Sequence, residues 1–228
     1  MNKPWPFTFN FFLFSGLAFV APFIVLYYQD LGFTGTQIGL LTGITPLITF
    51  VSATLWTSFA DRTHRHRLLM TIAMLGVVVV LIVFPLLKVF APVLIIAILF
   101  NIFWAPVTPF ADSATMFMIA DEKEVYSRIR LGGTIGFGLV APIAGALVQG
   151  QGLKVAFWGS AVLLFVGFPV SQKLVYGQLQ EKSQAGGQIS ALMKNPRWLL
   201  FLVIAFVSGA ALAAYNNYFF LHERVGRQ

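Results

Sequence analysis

The chain contains no cysteine. That absence removes disulfide frameworks, thiolate metal sites, iron–sulfur clusters and cysteine nucleophiles together, and it leaves the redox compartment open. Charge is also scarce, at 10% of the 228 residues, against about 25% in soluble chains. With 58% hydrophobic residues and a mean hydropathy of +0.82, a water-soluble globule is excluded, and so are disorder, collagen and coiled coil. Acidic residues are the scarcer sign, 8 against 15 basic, giving a net charge of +7 and a pI near 9.9. In a soluble protein that excess would suggest nucleic acid. Here the basic residues fall between apolar runs, so a lipid bilayer is the expected partner and nucleic acid is not.

Chemistry-bearing patterns are missing too. There is no Ser-His-Asp arrangement and no phosphate-cradling loop, so neither an enzyme nor a primary pump is expected, and no cofactor. His64 and His66 are two residues apart without cysteine or carboxylate company, which is poor metal-ligand spacing, and no metal site is expected.

What is present is a series of apolar runs. A spanning helix needs about 20 such residues, and seven runs are found, near 7–29, 37–60, 68–87, 92–118, 128–149, 155–175 and 199–221. The first run is too long for a signal-peptide core and no small-residue cleavage site follows it. Lys and Arg set the orientation, because positive loops are retained in the cytoplasm. Eleven lie in one set of alternate loops and four, Lys88, Lys154, Arg224 and Arg227, in the other. The N-terminus is therefore expected on the cytoplasmic side of the cell membrane.

The longest polar interval runs from Tyr176 to Arg197 and includes Gly186-Gly187. It predicts three parts: a six-helix bundle over 1–175, a cytoplasmic linker over 176–198, and the first helix of an incomplete second bundle over 199–228. The seventh run loosely repeats the first, "SGLAFVAPFIVLYYQDLG" from Ser15 against "SGAALAAYNNYFFLHERVG" from Ser208. Such a repeat is the pattern of a parallel-repeat transporter, so the chain reads as truncated, with the rest of a second bundle as its missing partner.

Two segments carry a resemblance. "LWTSFADRTHRHRLL" places Asp61, Arg62, Arg65 and Arg67 between the second and third spans, and "NIFWAPVTPFADSATMFMIADEKEVYSRIRLGGTIGFGL" runs from Asn101 to Leu139. The first resembles the gate signature of the major facilitator superfamily, with Thr57 standing where that signature has glycine. The second, with "LYYQDLGFTGTQIGLLTGITPL" from Leu26, is similar to the branch that includes lactose permease, nucleoside:proton symporters and the phenylpropionate permease. The resemblance implies an all-α membrane fold of two six-helix bundles, a cytoplasmic gate at Asp61, Arg62, Arg65 and Arg67, and proton-coupled symport of a small organic solute by alternating access.

Asp112 lies inside an apolar run, where a carboxylate costs about 2.5–3.5 kcal/mol unless paired or hydrated. At 100° per residue Asn101, Ala105, Thr108, Asp112 and Thr115 share one polar or small face, either lining a cavity or satisfied between helices. Arg130 opens the fifth span within reach of Asp112, and an arginine fork facing a carboxylate suits a polar or anionic solute. The alternative for Arg130, and more so for Arg128, is a snorkelling anchor. The resemblance places Asp112 and Arg130 where the family's sugar transporter keeps its substrate carboxylate and arginine. It places Phe137 where that transporter stacks its sugar on tryptophan, which implies an aromatic or nucleoside-like solute as a competitor to sugar. Gly132 and Gly136, with Gly145 repeating the small-residue spacing, are expected to serve close helix packing. Tyr215, and Tyr27, Tyr28 and Gln29 at the matching end of the first run, belong either to an interfacial aromatic belt or to the cavity lining. Two rival classes remain: a seven-helix receptor, opposed by the orientation and by a seventh span without lysine, and a half-transporter that dimerises.

Overall fold

A computed structural model describes residues 4–119, 122, 124–177, 195–204, 207–209 and 211. The chain divides into two compact units, Met1–Gln178 and Leu179–Gln228. In the second, residues 196–204 and 207–209 are helical. Tyr215 and most of the predicted linker lie outside the described residues.

Among its described residues the first unit has eight α-helices, α1 (Pro4–Val20), α2 (Ile24–Asp30), α3 (Gly35–Thr63), α4 (His66–Val83), α5 (Phe90–Trp104), α6 (Val107–Ile119), α7 (Glu124–Gln151) and α8 (Lys154–Ser171), and a 3-10 turn at Phe84–Leu86. They make six stretches of membrane-crossing length and hydropathy: Pro4–Asp30, Gly35–Thr63, His66–Leu86, Phe90–Ile119, Glu124–Gln151 and Lys154–Ser171.

Two runs expected as single helices are broken. The first is interrupted at 21–23 beside Pro22, and the fourth at 105–106, where Pro106 has no N–H to continue the ladder from Ala105. Pro46, Pro142 and Pro169 stay inside α3, α7 and α8. Gly32, at φ +78°, ends the first span, and Thr34 then starts α3 with a reciprocal cap. The Gln37 N–H donates to Thr34 Oγ1 at 3.3 Å, and the Thr34 N–H to Gln37 Oε1 at 2.9 Å. α3 stops at His64, which is left-handed at φ 54°.

α1 packs against both α7 and α8, α4 joins α8 to α5, and α3 leans on α5. The core at the end opposite Asp61 is aromatic. Phe84 stacks on Phe157 at 4.7 Å, and Tyr27 meets Phe157 edge-on at the same distance while donating to the Leu87 carbonyl at 3.2 Å. Tyr27 and Tyr28 are thus core residues, 2% and 3% exposed, which corrects the expectation of a belt or cavity lining. The outward faces are apolar: Leu47, Phe50, Leu55 and Phe59 of α3 are exposed, the surface that hydrocarbon, not water, accommodates.

Candidate functional site

Three clusters of polar side chains lie among these helices. The first joins α6 to α7. Asp112 is half-buried on α6 and Arg130 exposed on α7. Contrary to the expected direct pairing, they do not form an ion pair; Tyr126, one turn before Arg130, stands between them. Arg130 Nη1 donates to the Tyr126 hydroxyl at 3.4 Å, the guanidinium lies 5.8 Å from the centre of the Tyr126 ring, and the Asp112 carboxylate lies near the same hydroxyl. The order is carboxylate, hydroxyl, guanidinium, with most guanidinium donors uncommitted. Phe137 follows seven residues after Arg130, on the same face of α7 and about 10.5 Å along its axis, and is half-buried.

The second cluster joins α3 to α5. Asn101 is buried; its amide donates to the Ala97 carbonyl at 2.8 Å and to Thr45 Oγ1 at 3.4 Å, and its Oδ1 accepts from Thr49 at 3.4 Å. Asn101 and Asp112 sit on different helices, because the break at 105–106 interrupts the 100° reckoning that put them on one stripe. Thr108 is half-buried on α6, and Thr115 is fully buried with its hydroxyl turned back to the Ala111 carbonyl at 2.7 Å. Thr115 therefore lines no cavity.

The third cluster lies where α3 meets α4. Asp61, Arg62, Arg65 and Arg67 are all exposed. Asp61 Oδ1 is 3.0 Å from His66 Nε2, and Arg67 donates to the Gln172 carbonyl after α8. Arg62 borders an apolar cavity of about 600 Å³ with Leu55, Trp56, Phe59 and Leu69.

The glycines divide by face. A Cβ at Gly132 would stand 2.5 Å from the Phe7 carbonyl oxygen, and one at Gly136 would collide with that of Phe11, so both lie against the α1 backbone. Gly145, expected to pack with them, has nothing within 4 Å. It is nine residues beyond Gly136, which at 100° per residue is the opposite side of α7. Tyr126, Thr45, Thr49 and His66 were not singled out as solute or gate residues from sequence. The signals for the first three were a tyrosine at i−4 to Arg130 and threonines spaced i, i+4.

The model of the MFS_1-like family matches residues 7–226. The chain is similar to the uncharacterized transporter YwbF of Bacillus subtilis, with 23% identity over 93% of this chain and 54% of that protein. It is similar to the maltose permease of Geobacillus stearothermophilus, with 22% identity over 96% and 56%. The multidrug resistance protein MdtG of Yersinia enterocolitica is 28% identical over 83% and 49%. The crystal structure of the nucleoside transporter NupG superposes with a TM-score of 0.77 at 19% identity, over 96% of this chain and 57% of that one. The chain thus spans about half the length of the relatives it matches.

Proposed function

The chain belongs to the MFS_1-like family of multi-pass membrane transporters, and from that premise we propose that it supplies the first six-helix bundle, and the start of a second, of a secondary transporter working by alternating access. The observation that carries a solute role is the Arg130–Tyr126 hydrogen bond with Asp112 beside it, at the α6–α7 contact of two membrane-crossing stretches. A carboxylate placed there without a function costs stability. With the guanidinium fork largely free, a carboxylate or hydroxyl of the solute takes bidentate hydrogen bonds from Arg130, Asp112 accepts a solute hydroxyl, and the Phe137 ring offers a stacking face. The solute class we propose is a small polar or anionic organic molecule with an aromatic or sugar ring. The relatives' own names point in different directions, to maltose, drugs and nucleosides. We further propose that movement is coupled to protons as symport and that Asp61, Arg62, Arg65 and Arg67 form the cytoplasmic gate. The eleven-to-four bias of basic residues supports an N-terminus on the cytoplasmic side of the cell membrane.

The test is uptake of radiolabelled uridine and maltose by cells expressing the two-bundle protein. Asp112→Asn and Arg130→Ala are each expected to reduce uptake at least tenfold with membrane insertion unchanged. Wild-type uptake in either variant overturns the assignment. Sequencing the coding region beyond Gln228 checks the premise: five further apolar runs support two bundles, and a stop codon returns the dimerising half-transporter.

A further inference from the structure

The chain leaving α8 does not run free. Over 172–177 it lies without helix along the end of the bundle that carries Asp61, and every few residues it is held. Arg67 donates to the Gln172 carbonyl, and the Gln172 amide donates to the Thr71 hydroxyl at 3.0 Å and the Ser171 hydroxyl at 3.1 Å. Leu174 is buried, 3% exposed. Gly177 presses against the ring of Phe117 on α6, leaving no room for a Cβ. Tyr176 stacks on the His66 imidazole, ring centres 5.7 Å apart and planes at 17°.

His66 is the hub of this strap. One side of the ring holds Tyr176, its edge meets Phe110 of α6 at 6.0 Å, and Nε2 points at Asp61 3.0 Å away. The charged and titratable groups around it are Asp61 and Arg62 from α3, His64 and Arg65 between α3 and α4, Arg67 from α4, and Lys173 and the Tyr176 phenol from the strap; α6 contributes Phe110. Arg67, the cation best placed to repel a charged imidazole, is committed to the Gln172 carbonyl.

We propose that His66, at the start of α4, is a positioning residue: it ties Asp61 on one side to the 172–177 strap on the other, and protonation of the imidazole tightens the tie. The inference deepens the gate reading given above and rests on it for its role in transport, but the tie itself is a property of this chain. A neutral imidazole with its proton on Nε2 gives the Asp61 carboxylate a hydrogen bond. A protonated one makes that contact an ion pair and puts a cation over the Tyr176 face. Histidine makes that change between pH 5 and 8. Asp61 is 73% exposed, so the added attraction is that of a screened surface pair, and an effect of about two- to fivefold on strap opening is expected.

Trypsin reads the opening. Lys173 is exposed but Leu174 after it is buried, so cleavage there requires the strap to lift. The 228-residue chain in phosphatidylcholine nanodiscs is digested at pH 6 and pH 8, and cleavage after Lys173 is measured by mass spectrometry against cleavage after Lys88 at the other end of the bundle. The normalised rate is expected to rise about two- to fivefold from pH 6 to pH 8. His66→Gln, which keeps a donor but does not titrate, and Asp61→Asn are each expected to flatten that rise, and Tyr176→Phe, which keeps the stack, to retain it. No rise in the wild type, or a wild-type rise in His66→Gln or Asp61→Asn, overturns the proposal. Because no transport is measured, such a result refutes the tie without touching the solute-site reading.

Discussion

The close approach of α1 and α7 leaves no room for a methyl group at Gly132. A Cβ there would lie 2.5 Å from the Phe7 carbonyl oxygen, 3.1 Å from Phe7 Cδ2 and 3.2 Å from Cγ, where ordinary contact begins at 3.4 Å. The nearest atom is backbone inside α1, which cannot rotate aside, so the two helices must separate by about 0.9 Å. α1 is also packed on α8, so that withdrawal is resisted from behind. Overpacking of this kind costs about 1–3 kcal/mol. Against it stands the intrinsic gain of about 1 kcal/mol when glycine becomes alanine in a helix interior. Gly138 separates the two terms, since it lies on the same helix with nothing within 4 Å and should register the gain alone. Gly132→Ala is therefore expected to be less stable than Gly138→Ala by about 1–3 kcal/mol. Unfolding of the chain in mixed dodecylmaltoside and SDS micelles, followed by circular dichroism, measures the difference. A Gly132→Ala chain as stable as Gly138→Ala would refute the tight α1–α7 contact.

Gly152 sits at φ +92° between α7 and α8, with nothing near a Cβ, so Gly152→Ala should destabilise by about 1–2 kcal/mol through backbone strain alone, read in the same micelles. Asn101→Ala removes both threonine contacts and is expected to cost about 0.6–1.7 kcal/mol, the range for side-chain hydrogen bonds between membrane helices; no loss would show that the α3–α5 cluster contributes nothing. Burial pushes the Tyr176 phenol up from its ordinary value, with Arg67 opposing. Because the folded form then holds its proton longer than the unfolded one, stability from this group is intact below about pH 10 and falls as pH rises above it. Tyr176→Phe should lessen that alkaline loss. At neutral pH it should be neutral or stabilising by up to about 1 kcal/mol, since the buried hydroxyl has no protein partner. A steeper alkaline loss in Tyr176→Phe would count against a phenol that stays protonated in the fold.

The membrane-crossing runs were legible because each is a local property of about 20 apolar residues, and six of the seven expected spans correspond to described helices of crossing length. Their interruptions were less so. Seven prolines lie within or at the edges of predicted spans, at 22, 46, 85, 106, 109, 142 and 169; Pro22 and Pro106 mark breaks and Pro85 lies in the 3-10 turn Phe84–Leu86 that ends α4, while the other four stay inside helices. Neighbouring groups decide whether the carbonyl freed by a proline is satisfied in place, and neighbours are not written in the local sequence. The Asn101-to-Thr115 stripe failed for that reason: a continuous 100° rotation was carried across Pro106. Gly132 and Gly136 were readable from their i, i+4 spacing, whereas Gly145 repeated the spacing on the wrong face.

By itself the amino-acid sequence determined what does not depend on distant partners. Hydropathy over a helix length set the spans, the placement of Lys and Arg set the charge bias between alternate loops, and the Asp61 loop and the Asn101–Leu139 segment carried the family. Only the tertiary structure decided which side chains meet. It put Tyr126 between Asp112 and Arg130, turned Thr45 and Thr49 to Asn101 across more than fifty residues, and laid Tyr176 on His66 across more than a hundred. Those meetings follow from how helices pack, and packing is fixed by shape complementarity between faces far apart in the chain, which neither composition nor periodicity encodes.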